Sequence, residues 1–190
     1  MIIAYIAWPP DNDTYMWADP KTRGNPPAGV ICETCGQRID YTAINPNYKP
    51  PRSYYDLSRP YDGDFLVSPR LRDYLVGQNL PGLRFCPLAR SNRYLILQPQ
   101  NMLRIARGPS LRFEEYCSAC RQYRSVYGID GEKLHFLDIS EPIRFGIFIT
   151  DLRGGYYPQM DHLLIVGTET WNGMLREKFR GMGNGKPIIN

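Results

Sequence analysis

The sequence lacks long apolar runs and has few histidines. No 18 consecutive residues are apolar, which excludes a membrane-spanning helix, since such a helix needs about 20. The two histidines, His135 and His162, have no cysteine or serine partner at an informative spacing for a catalytic triad. The opening MIIAYIAW is too short for a signal peptide and predicts a buried first strand. We therefore expect a cytoplasmic protein with no membrane association, no catalytic residues and no small-molecule substrate.

Acidic residues are absent between Tyr74 and Phe113, where the chain carries six arginines. These are Arg84, Arg90, Arg93, Arg104, Arg107 and Arg112, and they are followed by Arg121 and Arg124. A basic stretch that also contains aromatic residues is typical of a nucleic-acid-binding surface. The alternatives are a solvated strand face and a patch that binds an acidic protein. The net charge of +4 favours an anionic partner without requiring one.

Proline is abundant, with 17 residues, and predicts much loop and turn. Between the loops, two strand–helix–strand patterns near 65–86 and 163–189 indicate an α+β protein. The first pattern has an apolar run, then Ser68 as the helix N-cap and Pro69 at the first helical position. Further strands are predicted at 94–97, 134–137 and 144–150. The chain is long enough for one good core, and we expect a single domain over residues 1–190.

The second strand–helix–strand pattern is similar to the first. Thr168 is its predicted helix cap. The apolar positions of its helix are Trp171, Met174 and Leu175. Each lies 100 residues after the corresponding position of the first unit, and those positions are Leu71, Tyr74 and Leu75. The similarity indicates either an internal duplication or two unrelated amphipathic helices.

Four of the five cysteines form two Cys-x-x-Cys pairs, in CETCG and in CSACR. Thiolates are good zinc ligands, and this spacing lets one tight turn present two sulfurs to one ion. Gly36 follows the first pair and can take a positive φ at little cost, whereas Arg121 follows the second. Two such turns that face each other make a zinc ribbon, here with halves near 29–40 and 113–128. Its predicted metal ligands are Cys32, Cys35, Cys117 and Cys120.

Other uses of the cysteine pairs remain open at this stage. Each pair is alternatively a reactive dithiol or a disulfide, and four thiolates bind iron as well as zinc. A site with four thiolates has no open position for water, so we expect the Zn²⁺ to be structural. The fifth cysteine, Cys86, follows an apolar strand and is predicted to be a small core residue.

The order of the motifs along the chain resembles a known family. A short N-terminal strand precedes CETCG, YYDLS, FLVSPRLRDYLVGQNLPGLRF, CSAC and TETWNGMLREKF. Together they resemble the myxobacterial double-CxxCG motif family, over most of the chain but with specific motifs only at the cysteines. CSACR departs from the family pattern at Arg121, where glycine is usual. The resemblance implies a small cytosolic immunity protein that binds and neutralises one cognate toxin, with the metal on the four paired cysteines.

The resemblance makes a toxin protein the expected partner, and a nucleic-acid-binding zinc-ribbon protein is the alternative. Inhibitors of basic nuclease toxins gain from being acidic, because complementary charge speeds association. This chain is net basic. The toxin is therefore acidic, or not a nuclease, or it meets a local acidic patch such as Asp56, Asp62 and Asp64.

Overall fold

The computed structural model describes residues 1–17, 26–51, 55–129, 135–137 and 139–189, and most of its regular structure is strand. The first six strands are β1 (Ile2–Ala7), β2 (Leu57–Ser58), β3 (Phe65–Val67), β4 (Leu83–Leu88), β5 (Ser91–Pro99) and β6 (Met102–Leu103). The remaining five are β7 (Arg112–Cys117), β8 (Gln122–Tyr127), β9 (Ile147–Tyr156), β10 (Gln159–Val166) and β11 (Lys186–Ile189). The helices are α1 (Pro69–Gly77) and α2 (Thr168–Arg176).

The strands form two sheets. In the larger sheet the order is β11-β1-β10-β9-β8-β7, and the short β6 pairs with β9 in parallel. The smaller sheet has the order β2-β3-β5-β4. The mixed composition of strands and helices agrees with the predicted α+β class. In the described part of the chain, no helix has the length and apolar character needed to cross a membrane.

Both predicted strand–helix–strand units are present, and they have the same topology. In the first, β3 and β4 flank α1 in sequence and lie on either side of β5, each antiparallel to it. In the second, β10 and β11 flank α2 in sequence and lie on either side of β1, again each antiparallel to it. Each unit is therefore a split β-α-β arrangement, in which a third, antiparallel strand lies between the two strands of the unit. The sequence pattern of the units did not predict this intervening strand.

The first helix begins as the sequence predicts. The Ser68 hydroxyl accepts a hydrogen bond from the Leu71 N–H at 3.1 Å, and Pro69 occupies the first turn. Leu71 and Leu75 are fully buried on one face. The helix ends before Asn79, whose φ of 51° is left-handed and stops the helical hydrogen bonding.

The prediction for the second helix is wrong in register. The N-cap is Gly167, which makes no side-chain cap bond, and Thr168 is the first helical residue. Lys178, with a φ of 54°, matches Asn79 of the first unit at an offset of 99 rather than 100. Leu175, predicted on the apolar face, is 47% exposed, and Met174 is buried. Glycine is a good N-cap through its backbone alone, so the side chain of the neighbouring threonine was a misleading signal for the cap position.

One core cluster contains residues of both sheets and both helices. It contains Val67 and Leu97 of the smaller sheet, Leu164 and Val166 of the larger sheet, and Trp171 of α2. The Trp171 ring stacks on Tyr5 of β1, with ring centroids 5.4 Å apart. Burial of a side chain of this size stabilises the fold by roughly 3 kcal/mol or more. The sheet that carries the second cysteine pair is thereby anchored to the rest of the described chain.

The other strand predictions have mixed outcomes. The segment at 94–97 lies within β5, and the segment at 144–150 overlaps β9, which begins at Ile147. The segment at 134–137 is not a regular strand over its described residues, where Phe136 makes a single bridge to Ile105. Residue 134 lies outside the described residues.

Candidate metal centre and the adjacent hairpin

The structure brings the four predicted ligands together. The sulfurs of Cys32, Cys35, Cys117 and Cys120 all lie within 4.8 Å of one another. The Sγ atoms of Cys32 and Cys117 are 3.9 Å apart, and those of Cys35 and Cys120 are 3.7 Å apart. Four sulfurs at about 2.3 Å from one tetrahedral ion would lie about 3.8 Å from each other. The cluster can therefore hold a metal ion.

The first cysteine turn is a small hairpin closed by a bridge between Ile31 and Arg38. The Cys32 N–H donates to the Gln37 carbonyl, and the Gly36 N–H donates to the Cys32 carbonyl, both at 2.8 Å. Gly36 has a φ of +76°, a conformation that costs glycine little. A Cβ at this position would also lie 2.8 Å from the Tyr157 hydroxyl. Both observations explain the glycine of CETCG.

The second cysteine turn joins β7 to β8 and repeats the geometry of the first. Cys117 pairs with Gln122 across the hairpin, and the Arg121 N–H donates to the Cys117 carbonyl at 2.8 Å. Arg121 has a φ of 58°, close to that of Gly36. The departure from glycine therefore leaves the turn unchanged, at a backbone cost of roughly 1–2 kcal/mol for a side chain in the left-handed region.

Backbone N–H groups point at the first sulfur of each turn. The N–H groups of Cys35 and Thr34 lower the pKa of the Cys32 thiol to about 7. The N–H of Cys120 likewise lowers the pKa of the Cys117 thiol. Burial acts in the opposite direction on the second cysteines, raising the pKa of Cys35 and raising that of Cys120 to about 12. A divalent cation would oppose this burial effect, because thiols that coordinate a metal lose their protons.

The arrangement favours a shared metal over the alternatives for the cysteines. All five cysteines are free thiols. The sulfurs of both turns meet in one cluster, with 3.9 and 3.7 Å between sulfurs of different turns, which one shared ion requires and two separate disulfides would not. An ion bound by all four thiolates has no free coordination position, so it would serve folding rather than catalysis.

Sequence reasoning missed Gln37, which is buried and connects the two turns. Its Nε2 donates to the Tyr123 carbonyl of β8 at 3.0 Å and contacts the Met160 sulfur at 3.1 Å. A glutamine two residues after a cysteine pair gives no sequence signal for such a contact, because the acceptor lies 86 residues away.

The hairpin that carries the second cysteine turn exposes large aromatic side chains. Tyr116 is 55% exposed and Tyr123 is 37% exposed, and their ring centroids are 5.1 Å apart. Phe113 lies on the other side of Tyr123 at 5.2 Å. We name these three residues the aromatic ridge. β7 is the last strand of its sheet, so its outer edge has no strand partner in the described part of the chain.

Arginines of the acid-free stretch are divided between the two sheets. Arg84 and Arg93 lie on β4 and β5, whereas Arg107 and Arg112 lie before and on β7. The stretch is therefore not one strand face. Beside the aromatic ridge, Arg107 lies over Phe113 at 5.6 Å and Arg112 lies over Tyr127 at 5.7 Å.

The acidic patch expected from the sequence is not a surface patch. Asp62 and Asp64 are each 5% exposed. The Asp64 carboxylate forms a buried ion pair with Arg38 at 2.5 Å, and the Asp62 carboxylate accepts from the backbone N–H of Met16 at 2.7 Å. Both carboxylates are thus used inside the protein, where they hold the loops around the first cysteine turn.

Comparisons with known proteins find no matching family model, no similar curated protein and no similar solved structure. The case for a function therefore depends on the chemistry of the cysteine cluster and of the surface beside it.

Proposed function

We propose that this protein is an immunity protein that binds and neutralises a cognate bacterial toxin, with a structural Zn²⁺ on Cys32, Cys35, Cys117 and Cys120. The two cysteine turns are the halves of a zinc ribbon. The mechanism is occlusion: the protein covers the active site of the toxin or the surface that receives its substrate. The myxobacterial double-CxxCG motif family, which the sequence resembles, is the source of the toxin–immunity assignment.

Zinc is the metal that fits the donor set best. Four thiolates in a tetrahedron are a structural zinc site in many small folds, and the sulfur separations of 3.7 and 3.9 Å match that geometry. The ligands come from two turns that the Gln37 side chain also joins, through its bond to the Tyr123 carbonyl. The metal would therefore fix the orientation of the β7–β8 hairpin relative to the first turn.

The exposure of the aromatic ridge is the main observation that supports binding of a protein partner. Tyrosine and arginine dominate the energy of protein interfaces, because they combine a large contact area with polar groups. Tyr116 and Tyr123 are exposed, and Arg107 and Arg112 stand beside them. A free sheet edge at β7 adds backbone donors and acceptors for a partner. We place the toxin contact on this hairpin.

The charge of the hairpin indicates the surface that the toxin presents. Arg107, Arg112 and Arg121 have no acidic side chain within ion-pair distance among the residues that the structure describes. Arg124, in contrast, is paired with Glu115 at 3.0 Å. The surplus of positive charge favours an acidic surface on the toxin, since complementary charge speeds association.

The first test is identification of the partner. The tagged full-length chain is expressed in its native host, the lysate is treated with nuclease, and co-purifying proteins are identified by mass spectrometry. We expect one stoichiometric protein that is lethal when expressed alone and harmless when co-expressed. Recovery of no protein partner, together with no protection against any toxin, would overturn the proposal.

The second test places the contact. The double variant Tyr116→Ala/Tyr123→Ala should weaken toxin binding by about 30-fold or more, the size typical of interface residues that dominate binding. Phe145→Ala is the matched control, because Phe145 is an exposed aromatic residue outside the hairpin. Equal affinity of the double variant and the control would exclude the aromatic ridge as the interface.

A nucleic-acid-binding role is the second candidate, and the pairing of arginines with aromatic rings on the hairpin favours it. Bases stack on such rings, and arginines contact the phosphates. This role predicts an affinity for DNA or RNA that falls steeply with salt. Binding that disappears in the tyrosine double variant and has a steep salt slope, with no toxin partner recovered, would replace the first proposal.

A further inference from the structure

We infer that the cleft between the first cysteine turn and the β8–β9 region is a binding site for an anionic group, a carboxylate or a phosphate. The inference does not rest on the proposed toxin partner, although the cleft and the aromatic ridge share Phe113 and Tyr123. The cleft has a volume of about 380 Å³ and is open to the surface. A volume of this size accommodates a small ligand. The polar residues that line it and carry the argument are Tyr41, Arg107, Arg121, Gln122, Arg153 and His162.

Arg153 of β9 is the centre of the site. It is partly buried, and its guanidinium donates hydrogen bonds to the Tyr41 hydroxyl and to the Gln122 side-chain carbonyl. No carboxylate lies within ion-pair distance of it among the described residues. Burial lowers the pKa of Arg153 to about 10, so the side chain stays charged at neutral pH. The Asp161 carboxylate acts on Arg153 only from beyond ion-pair distance. A charge held away from water without a carboxylate in contact is costly, and a bound anion would offset that cost.

Arg38, which lies close to Arg153, differs from it in that a carboxylate neutralises its charge. Arg38 also lies over the Tyr41 ring, at 4.7 Å, and Arg153 lies over it at 4.2 Å. Arg38 is neutralised by Asp64 and also donates to backbone carbonyls, including that of Ala43 at 2.7 Å. Arg153 has two neutral acceptors instead. A guanidinium has five N–H donors in a planar fork, so donors remain for a carboxylate or phosphate.

The groups around Arg153 complete a set of donors. Tyr41 accepts its hydrogen bond from Arg153, which leaves its own hydroxyl hydrogen to donate. Arg107 and Arg121 stand exposed at the wall of the cleft and add two positive charges. The lining contains one acid, Asp151, whose Oδ1 accepts from the Ile105 N–H at 2.9 Å, against the three arginines Arg107, Arg121 and Arg153.

His162 adds an acceptor to the site. Its Nδ1 donates to the Thr150 carbonyl at 2.6 Å, which leaves Nε2 with a lone pair. Burial lowers the pKa of His162 to about 4, so the ring is neutral at pH 7. A ligand that carries both a negative charge and an O–H or N–H would use Arg153 and His162 together. Monohydrogen phosphate and hydroxy acids have this combination.

The experiment uses the full-length, metal-loaded protein at constant ionic strength. Inorganic phosphate and malonate are titrated separately against a chloride background, and binding is followed by calorimetry and by the NMR shifts of the Arg153 Nε–H and His162 ring signals. We expect saturable shifts at both residues. Phosphate binding alone would identify a phosphate-bearing ligand, and malonate binding would extend the site to carboxylates. Linear, non-saturating shifts with both anions would overturn the inference.

The variants test whether Arg153 is the ligand. Arg153→Gln should weaken anion binding by at least tenfold, because it removes a charge-assisted contact. Arg93→Gln, an exposed change of the same charge on the smaller sheet, should leave binding unchanged. Tyr41→Phe keeps the ring, and Arg107→Gln alters only an exposed side chain. If Arg153→Gln does not fold, weaker anion binding in these two variants tests the site instead. Undiminished binding in the folded variants would refute the assignment.

Discussion

The Gln37 side-chain amide donates to the Tyr123 carbonyl at 3.0 Å and so joins the first cysteine turn to the strand that follows the second. The two residues are 86 positions apart. The first turn has only one bridge of its own, between Ile31 and Arg38, and pairs with no strand of the larger sheet in the described residues. The glutamine and the cluster of sulfurs therefore both attach the first turn to that sheet.

Gln37→Ala should reduce stability and leave the four cysteines of the proposed metal site in place. The substitution leaves the Tyr123 carbonyl without its donor, and the Gln37 Oε1 has no protein partner to lose. We expect a loss of about 1–3 kcal/mol in the free energy of unfolding, the size of one buried hydrogen bond and its desolvation. Urea unfolding measures it. Gln100→Ala, which removes an exposed amide bonded to the Gln98 carbonyl, should cost much less.

Cys32→Ser should abolish stoichiometric zinc binding and lower the thermal stability, because three thiolates and a hydroxyl are a poorer zinc site. Cys86→Ser is the matched control. Cys86 is buried to a similar degree, but its thiol is not one of the four clustered sulfurs and donates to Gln98 at 3.4 Å. Metal content by mass spectrometry, together with the melting temperature, distinguishes the two variants. Unchanged zinc content in Cys32→Ser would exclude this cysteine as a ligand.

Substitutions of the two residues that follow the cysteine pairs should change the stability in opposite directions. Arg121→Gly relieves a side chain with a φ of 58° and should stabilise the fold by about 0.5–1 kcal/mol, after the greater freedom of glycine in the unfolded chain is subtracted. Gly36→Ala places a Cβ at a φ of +76° and 2.8 Å from the Tyr157 hydroxyl. It should cost about 1–2 kcal/mol or more. Chemical unfolding of both variants with metal bound tests the pair, and a destabilised Arg121→Gly would contradict the account of the turn.

The sequence was most informative where the signal is local. The Cys-x-x-Cys spacing predicted both turns, because a turn of this kind is determined by neighbouring residues. Ser68 and Pro69 predicted the start of α1 for the same reason. The cap of α2 was misassigned because Gly167 acts through its backbone alone.

Features that depend on distant residues could not be predicted. The cleft around Arg153 contains Tyr41, which lies 112 positions away, and its wall comes from a third segment with Arg107 and Arg121. No periodicity or spacing connects these positions. The burial of Asp62 and Asp64 was missed for a related reason, since their partners Met16 and Arg38 lie in separate loops.

His162 should make stability depend on pH below neutrality. Burial lowers its pKa to about 4 in the folded protein, against 6.5 in an unfolded chain. Between these two values the unfolded state binds a proton that the native state does not, so the contribution of His162 to stability falls as the pH falls from 6.5 to 4. The full effect is up to about 3 kcal/mol, because each pKa unit corresponds to about 1.4 kcal/mol.

The matched comparison is between wild type and His162→Gln, unfolded in urea at pH 7.0, 5.5 and 4.5. Asp161 acts in the opposite direction, because burial, only partly offset by its ion pair with Arg59, raises its pKa to about 7 and the native state keeps a proton that the unfolded chain loses. The contribution of Asp161 and any acid sensitivity of the proposed metal site are present in both wild type and His162→Gln, so they cancel in the difference between the two stabilities. The stability of wild type relative to the variant should therefore decrease on acidification. A difference between wild type and His162→Gln that stays constant with pH would mean that the ring is hydrated in the folded protein.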